Sequence, residues 1–413
     1  MRIRYQNLGG IAMNDISARF LAGKAMDQVP TIPNAYLDIE DGLIANYGSM
    51  NDLPDNPADQ VIEAAGQWIL PAFVDSHTHL LYAGNRAHEF EMRMRGATYE
   101  EIAAAGGGIL NSAKALADAS EDDLLVALLE RLRIARKTGT AAIEIKSGYG
   151  LSVEAELKML RIIRRAGEAQ NMPIAATFLG AHAVPAGYSK SEYMDLVIQE
   201  MLPAVAEQQL ADYVDIFCED GYFDVDDTIR LAQAAAQLGL PLKSHVNQFK
   251  SIGGLQASLN AKALSVDHLE VLSDQDLYDL KAQHQNGAGT MPVALPLCSL
   301  YLDIPYTPGR RIIDADLPLA IASDCNPGSA PSSNLSLAWG LACHQMKLTP
   351  MEALTGLTLN GAAALGWSDR MGSIIHGKEA HLIVTQPIAS PAEIPYRFGE
   401  NLVAETLVFG SAE

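Results

Sequence analysis

Residues 36–45 read Tyr-Leu-Asp-Ile-Glu-Asp-Gly-Leu-Ile-Ala, two runs of alternating apolar and polar positions around Asp41-Gly42. A period of two puts every second side chain on one face of a strand, and Asp-Gly accepts the positive φ of a tight turn, so the segment predicts a hairpin. The same pattern returns at His381-Leu-Ile-Val and at Leu402-Val-Ala-Glu-Thr-Leu-Val-Phe409. Both chain ends are therefore expected to form one small β domain, a β-sandwich built from residues 1–66 and 372–413 around a central segment 67–371.

Within that segment apolar strands alternate with amphipathic helices. Candidate strands end near His77, Lys146, His182, Glu219, His245, His268, Pro292 and Asp324. Ser120-x-x-Asp123 opens a periodic run through Leu124, Leu125, Leu128, Leu129 and Leu132 that stops by Gly139. Ser273-x-x-Asp276 opens a second helix that stops at Asn286-Gly287, and Thr349-Pro350-Met351-Glu352 joins an N-cap, a helix-start proline and a capping-box glutamate. Eight strands separated by helices predict an α/β chain folded as a (β/α)8 TIM-like barrel. A doubly wound open sheet would need a glycine-rich fingerprint after its first strand, and none is present.

Charge narrows the function. The 413 residues carry 29 Lys+Arg against 50 Asp+Glu, a formal net charge of −21, which repels phosphate backbones and anionic membranes. No stretch reaches the roughly 18 apolar residues of a membrane span, and the start Met1-Arg2-Ile3-Arg4-Tyr5 lacks the apolar core of a leader. Cys218, Cys298, Cys325 and Cys343 form no CxxC pair and read as reduced thiols. The expectation is a cytoplasmic homodimer acting on a small molecule, with no nucleic acid and no membrane.

The chemistry sits where the strands end, the face on which barrels build active sites. In Asp75-Ser-His77-Thr78-His79 the two imidazoles are two residues apart, so both point to one side of a strand and can converge on one ion. His245, His268 and Asp324 end the fifth, sixth and eighth strands. Three histidines and an aspartate make an N3O donor set with an open position, suited to Zn2+ or Fe. His268 fits a ligand, an acid/base group or a support equally well. Arg86 follows the His pair with a guanidinium fork suited to a carboxylate. Lys146-Ser147-Gly148-Tyr149-Gly150 is a turn presenting a phenol, and Gly180-Ala181-His182, Gln248 and Asn326-Pro327-Gly328-Ser329 lie at other strand ends. Gly106-Gly107-Gly108 lacks the Lys-Ser/Thr of a phosphate loop and reads as a turn.

On these residues the chain resembles the amidohydrolase superfamily. Glu144-Ile-Lys-Ser-Gly-Tyr-Gly-Leu151, Phe178-Leu-Gly-Ala-His-Ala-Val-Pro185, Asp215-Ile-Phe-Cys-Glu219 and Asp324-x-Asn-Pro-Gly328 resemble, within it, the branch that opens an imidazolone ring in histidine degradation. The likeness runs through nearly all the chain. It implies His77, His79, His245 and Asp324 as ligands of one Zn2+ or Fe ion per chain. It implies contacts from Arg86, Tyr149, His182, Gln248 and Ser329 to the imidazolone, and from Asn326 and Gly328 to the opened product. Asp324 and His268 would be the catalytic groups, Asp324 as proton carrier and His268 at the oxyanion. The implied reaction is hydrolysis of 4-imidazolone-5-propanoate to N-formimidoyl-L-glutamate. The alternative is another cyclic amidine hydrolase or a deaminase of the same superfamily. Val246-Asn247 replace the usual Ala and acidic residue after the strand-5 histidine, and Gly377-Lys-Glu-Ala-His381 ends in His where Asp is common. Glu219 leaves a second metal open.

Overall fold

The N-terminal hairpin forms where the alternation places it. Strands β2 (Thr31–Glu40) and β3 (Leu43–Ser49) pair antiparallel, with Asp41 and Gly42 at φ 50° and 82° in the turn. They extend β1 (Arg2–Ala12), which also pairs in parallel with β4 (Gln60–Glu63) and β5 (Trp68–Pro71). This is a computed structural model, and it describes residues 1–97, 101, 107–285 and 289–412. Gly106 and the helix stop at Asn286-Gly287 lie outside the described residues.

Eight parallel strands then follow one another in chain order. They are β6 (Phe73–Asp75), β7 (Thr140–Lys146), β8 (Ile174–Ala181), β9 (Tyr213–Cys218), β10 (Lys243–Val246), β11 (Ser265–His268), β12 (Met291–Ala294) and β13 (Ala320–Ile321). The Thr78–Cys325 bridge brings the last strand against the first, helped by Asp324 N–H donating to the His77 carbonyl at 3.0 Å. The chain belongs to the α/β class with a TIM-like barrel. Helices cover the outside, so the strands are buried on both faces and read as near-continuous apolar runs. Two terminal strands, β14 (Leu382–Thr385) and β15 (Val403–Leu407), return to the first sheet, β14 pairing with β5. Both chain ends thus share one seven-stranded mixed sheet, with Trp68–Pro71 still inside it and the barrel starting at Phe73.

The helix starts follow their caps. Ser120 accepts from the Asp123 N–H ahead of helix Glu121–Lys137, and Thr349 and Glu352 complete a capping box on helix Pro350–Leu357. The Ser273 side chain does the same for helix Asp274–Gln285. No helix among the described residues is long and apolar enough to cross a membrane. None of the four cysteines is paired, and three are buried.

Candidate active site

The barrel axis is polar. Because side chains two apart on a strand share a face, β7 turns Glu144 and Lys146 inward, β10 turns Lys243 and His245, and β11 turns Asp267. These side chains are buried at or near completion, as are His77 and His79 just beyond β6. Where the strands end, Asn247, His268, Leu269 and Asp324 all take positive φ, between 55° and 86°. For residues with a Cβ this backbone costs energy, and it concentrates where a structure must aim a side chain. Asp324 and His268 are aimed by it.

His77, His79 and His245 bring their ring nitrogens within 4.8 Å of one another. Asp324 Oδ1 lies 3.5 Å from both His77 Nε2 and His79 Nε2. His77 Nδ1 meets Asp267 Oδ2 at 2.6 Å, and His245 Nδ1 meets Asp215 Oδ1 at 3.1 Å. A carboxylate accepts only, so each Nδ1 carries the proton and each Nε2 the lone pair. His77 Nε2 is buried with no hydrogen-bond partner among the described residues, and His245 Nε2 faces His79 Nε2 at 3.2 Å. Burial keeps all three imidazoles below their ordinary pKa, hence neutral. Orphaned lone pairs from neutral imidazoles, converging beside a carboxylate, fit a metal ion. Burial pushes the Asp324 carboxyl up to about 6.

Above this floor opens a cavity of about 540 Å3. His79, His245, Asp324, Arg86, Tyr149, His182, Gln248, His268, Asn326, Gly328 and Ser329 all line it, so every candidate except the deeper His77 meets in one place. His182 lies nearly parallel to His79, with ring centroids 5.1 Å apart, and its Nδ1 donates to the Gly148 carbonyl at 2.9 Å. Burial lowers its pKa to about 3, so it too is neutral. His268 Nδ1 lies 3.3 Å from Glu270; burial lowers this imidazole's pKa, but Glu270 together with Asp324 and Asp267 raises it above its usual value. Arg86 gives Nε and Nη2 to Ser112 Oγ at 2.9 and 2.8 Å, leaving Nη1 toward Gly328. A Cβ on Gly328 would stand 2.3 Å from that Nη1, so only glycine leaves room for the guanidinium.

Asn326 is committed to its own loop. Its Nδ2 donates to Asp324 O and Ser329 Oγ, and its Oδ1 accepts from the Gly328 and Ser329 N–H groups, all at 2.7–2.8 Å. Glu219 is likewise occupied, accepting from the backbone of Asp220, Phe249 and Lys250, and it is absent from the converging donors among the described residues.

Several residues received no role from the sequence. Ser112 holds Arg86. Glu156, buried in a helix, accepts the Gly148, Gly150 and Leu151 N–H groups and so shapes the Tyr149 turn. Asp215 and Asp267 clamp two histidines. The available signal was a carboxylate in the middle of an apolar strand, which must find a partner. The partner itself depends on strands far apart in sequence.

Residues 68–410 match the amidohydrolase family model. The imidazolonepropionase of Flavobacterium johnsoniae is 53% identical over 94% of this chain and 94% of its own. That of Christiangramia forsetii is 52% identical with the same coverage of both chains. Among solved structures, E. coli guanine deaminase superposes with a TM-score of 0.75 at 14% identity, covering 100% of this chain and 99% of that one. At that identity the likeness concerns the fold alone.

Proposed function

The chain belongs to the amidohydrolase family, beside the imidazolonepropionases, and from that premise we propose that it opens the ring of 4-imidazolone-5-propanoate by hydrolysis to N-formimidoyl-L-glutamate. The observation that carries the reading is the convergence of three neutral imidazoles and Asp324 beneath a cavity walled by Arg86.

His77, His79, His245 and Asp324 would hold one ion, Zn2+ or Fe, for which borderline nitrogen and hard oxygen donors are suited. Such an ion polarises a carbonyl and makes water a nucleophile near neutral pH. The remaining work belongs to side chains. Arg86, fixed by Ser112, takes the propionate carboxylate on its free N–H groups. Tyr149, His182, Gln248 and Ser329 border the ring. Water oxygen bonds to the ring carbonyl carbon, and Asp324 accepts the proton released. As the carbon–nitrogen bond breaks, Asp324 returns that proton to the departing nitrogen. His268, with its Nδ1 turned to Glu270, donates a hydrogen bond from Nε2 to the oxygen that becomes anionic in between. The Asn326 loop holds Gly328 and Ser329 against the product. In the division of labour proposed here, residues 67–371 carry this chemistry, while 1–66 and 372–413 brace it.

The test is the loss of imidazolone absorbance on adding the purified, metal-analysed protein, alongside guanine, cytosine and a hydantoin. Metal-dependent turnover of the imidazolone alone is expected. Turnover of guanine or cytosine with the imidazolone untouched would replace ring opening by deamination.

A further inference from the structure

Below the site the barrel interior holds five ionisable side chains with no exposure at all: Lys146, Lys243, Glu144, Asp215 and Asp267. Barrel interiors are ordinarily filled with branched apolar residues, and buried charges are tolerated only when paired. Lys146 is the hub. Its Nζ lies 2.7 Å from Asp215 Oδ2, 2.8 Å from Glu144 Oε2 and 3.9 Å from Asp267 Oδ2. Glu144 is braced from its other oxygen by the Thr177 hydroxyl. Lys243 stands at the same 3.9 Å from Asp267 as Lys146 does and 3.7 Å from Glu144, and it donates to the Ser76 carbonyl at 3.2 Å. Asp215 and Asp267 are the two carboxylates whose other contacts are His245 Nδ1 and His77 Nδ1.

We infer that Lys146 is a positioning residue for the metal centre: its buried ammonium, 2.7 Å from Asp215, holds that carboxylate so that it orients the His245 imidazole from beneath. Ion-pairing with Lys146 keeps Asp215 an acceptor, which fixes the proton of His245 on Nδ1 and leaves Nε2 for the ion. The inference rests on the proposed reading of His77, His79 and His245 as ligands.

The full-length chain is stripped of metal, and its Zn2+ dissociation constant is measured by competition with a chromophoric chelator. Folding of each metal-free variant is followed by circular dichroism. Loss of a group that orients a metal ligand typically weakens affinity by about 10–100-fold. Lys146→Met and Asp215→Asn should each do so while folded. The double variant should bind about as weakly as Asp215→Asn alone, because the two act as one unit. If Lys146→Met does not fold, the double variant, which removes both charges, carries the comparison with Asp215→Asn. Parent-like affinity in folded Lys146→Met, or losses that multiply in the double variant, overturns the inference. His245→Ala separates the premise: if it binds Zn2+ as the parent does, the ligand assignment has failed rather than the role of Lys146.

Discussion

Arg86 reaches the cavity with two of its nitrogens already held by Ser112 and the third beside Gly328. Replacing it with methionine removes the carboxylate's charged partner in a largely desolvated pocket, a loss of about 2–5 kcal/mol. Arg86→Met should therefore lower kcat/KM for the imidazolone by more than tenfold with metal content unchanged. Unaltered kinetics would place the carboxylate elsewhere. Gly328→Ala is a milder version of the same change. Its methyl group would collide with Nη1 and displace the guanidinium, so KM should rise while metal binding stays intact. Asp324 has two tasks that substitution separates. Asn keeps an oxygen donor but no base, and general acid–base catalysis contributes roughly 10²–10⁴-fold. Asp324→Asn should lose about that factor in kcat per metal-loaded molecule. Turnover within a few-fold of the parent would leave Asp324 a ligand only and point to His268 as the proton carrier.

At the scale of elements, caps and periodicity were legible because their physics is local. Ser120 and Thr349 cap the helices that their sequences announce, and Asp41-Gly42 turns the hairpin. Strand ends could be read for the same reason, since a polar residue closing an apolar run marks where the buried stretch stops. Supports reaching across the fold were not legible. Glu156 lies one turn into helix Val153–Gln170, where its identity looks like ordinary helix surface, yet it is fully buried beneath the Tyr149 turn. Glu156→Gln keeps its shape, but with its amide oxygen left to the Gly150 and Leu151 N–H groups its N–H2 must face the Gly148 N–H. An unsatisfied buried donor costs about 1–3 kcal/mol. The variant should melt earlier and bind substrate more weakly through Tyr149, with metal affinity near the parent's. A loss of metal with no change in KM would contradict that assignment.

At the scale of the molecule, the proposed donors for one ion come from the ends of β6, β10 and β13, so an ion placed there would tie the ring together across its axis. A ligand that binds only the folded chain stabilises it by RT ln(1 + [L]/Kd), about 4 kcal/mol at a thousandfold excess over Kd. Chelation should therefore lower the Tm by several degrees. The size of that shift should depend on pH through Asp324. In the metal-free fold burial raises its carboxyl from the ordinary 3.8 to about 6, whereas burial lowers the pKa of the neighbouring imidazoles. Above pH 6 the site is ready to bind. Below it a proton must leave for each ion that enters, and affinity should fall about tenfold per pH unit. For the metal-free chain the sign is opposite. A carboxyl with a raised folded pKa destabilises the fold when charged, and that penalty begins to lift as pH falls through about 6 and is gone below the ordinary 3.8. Melting the metal-loaded and stripped protein side by side from pH 8 to 5 should give a constant gap down to about pH 6. The gap should then narrow steadily below it. A gap that stayed constant to pH 5 would show that Asp324 gives up no proton on binding.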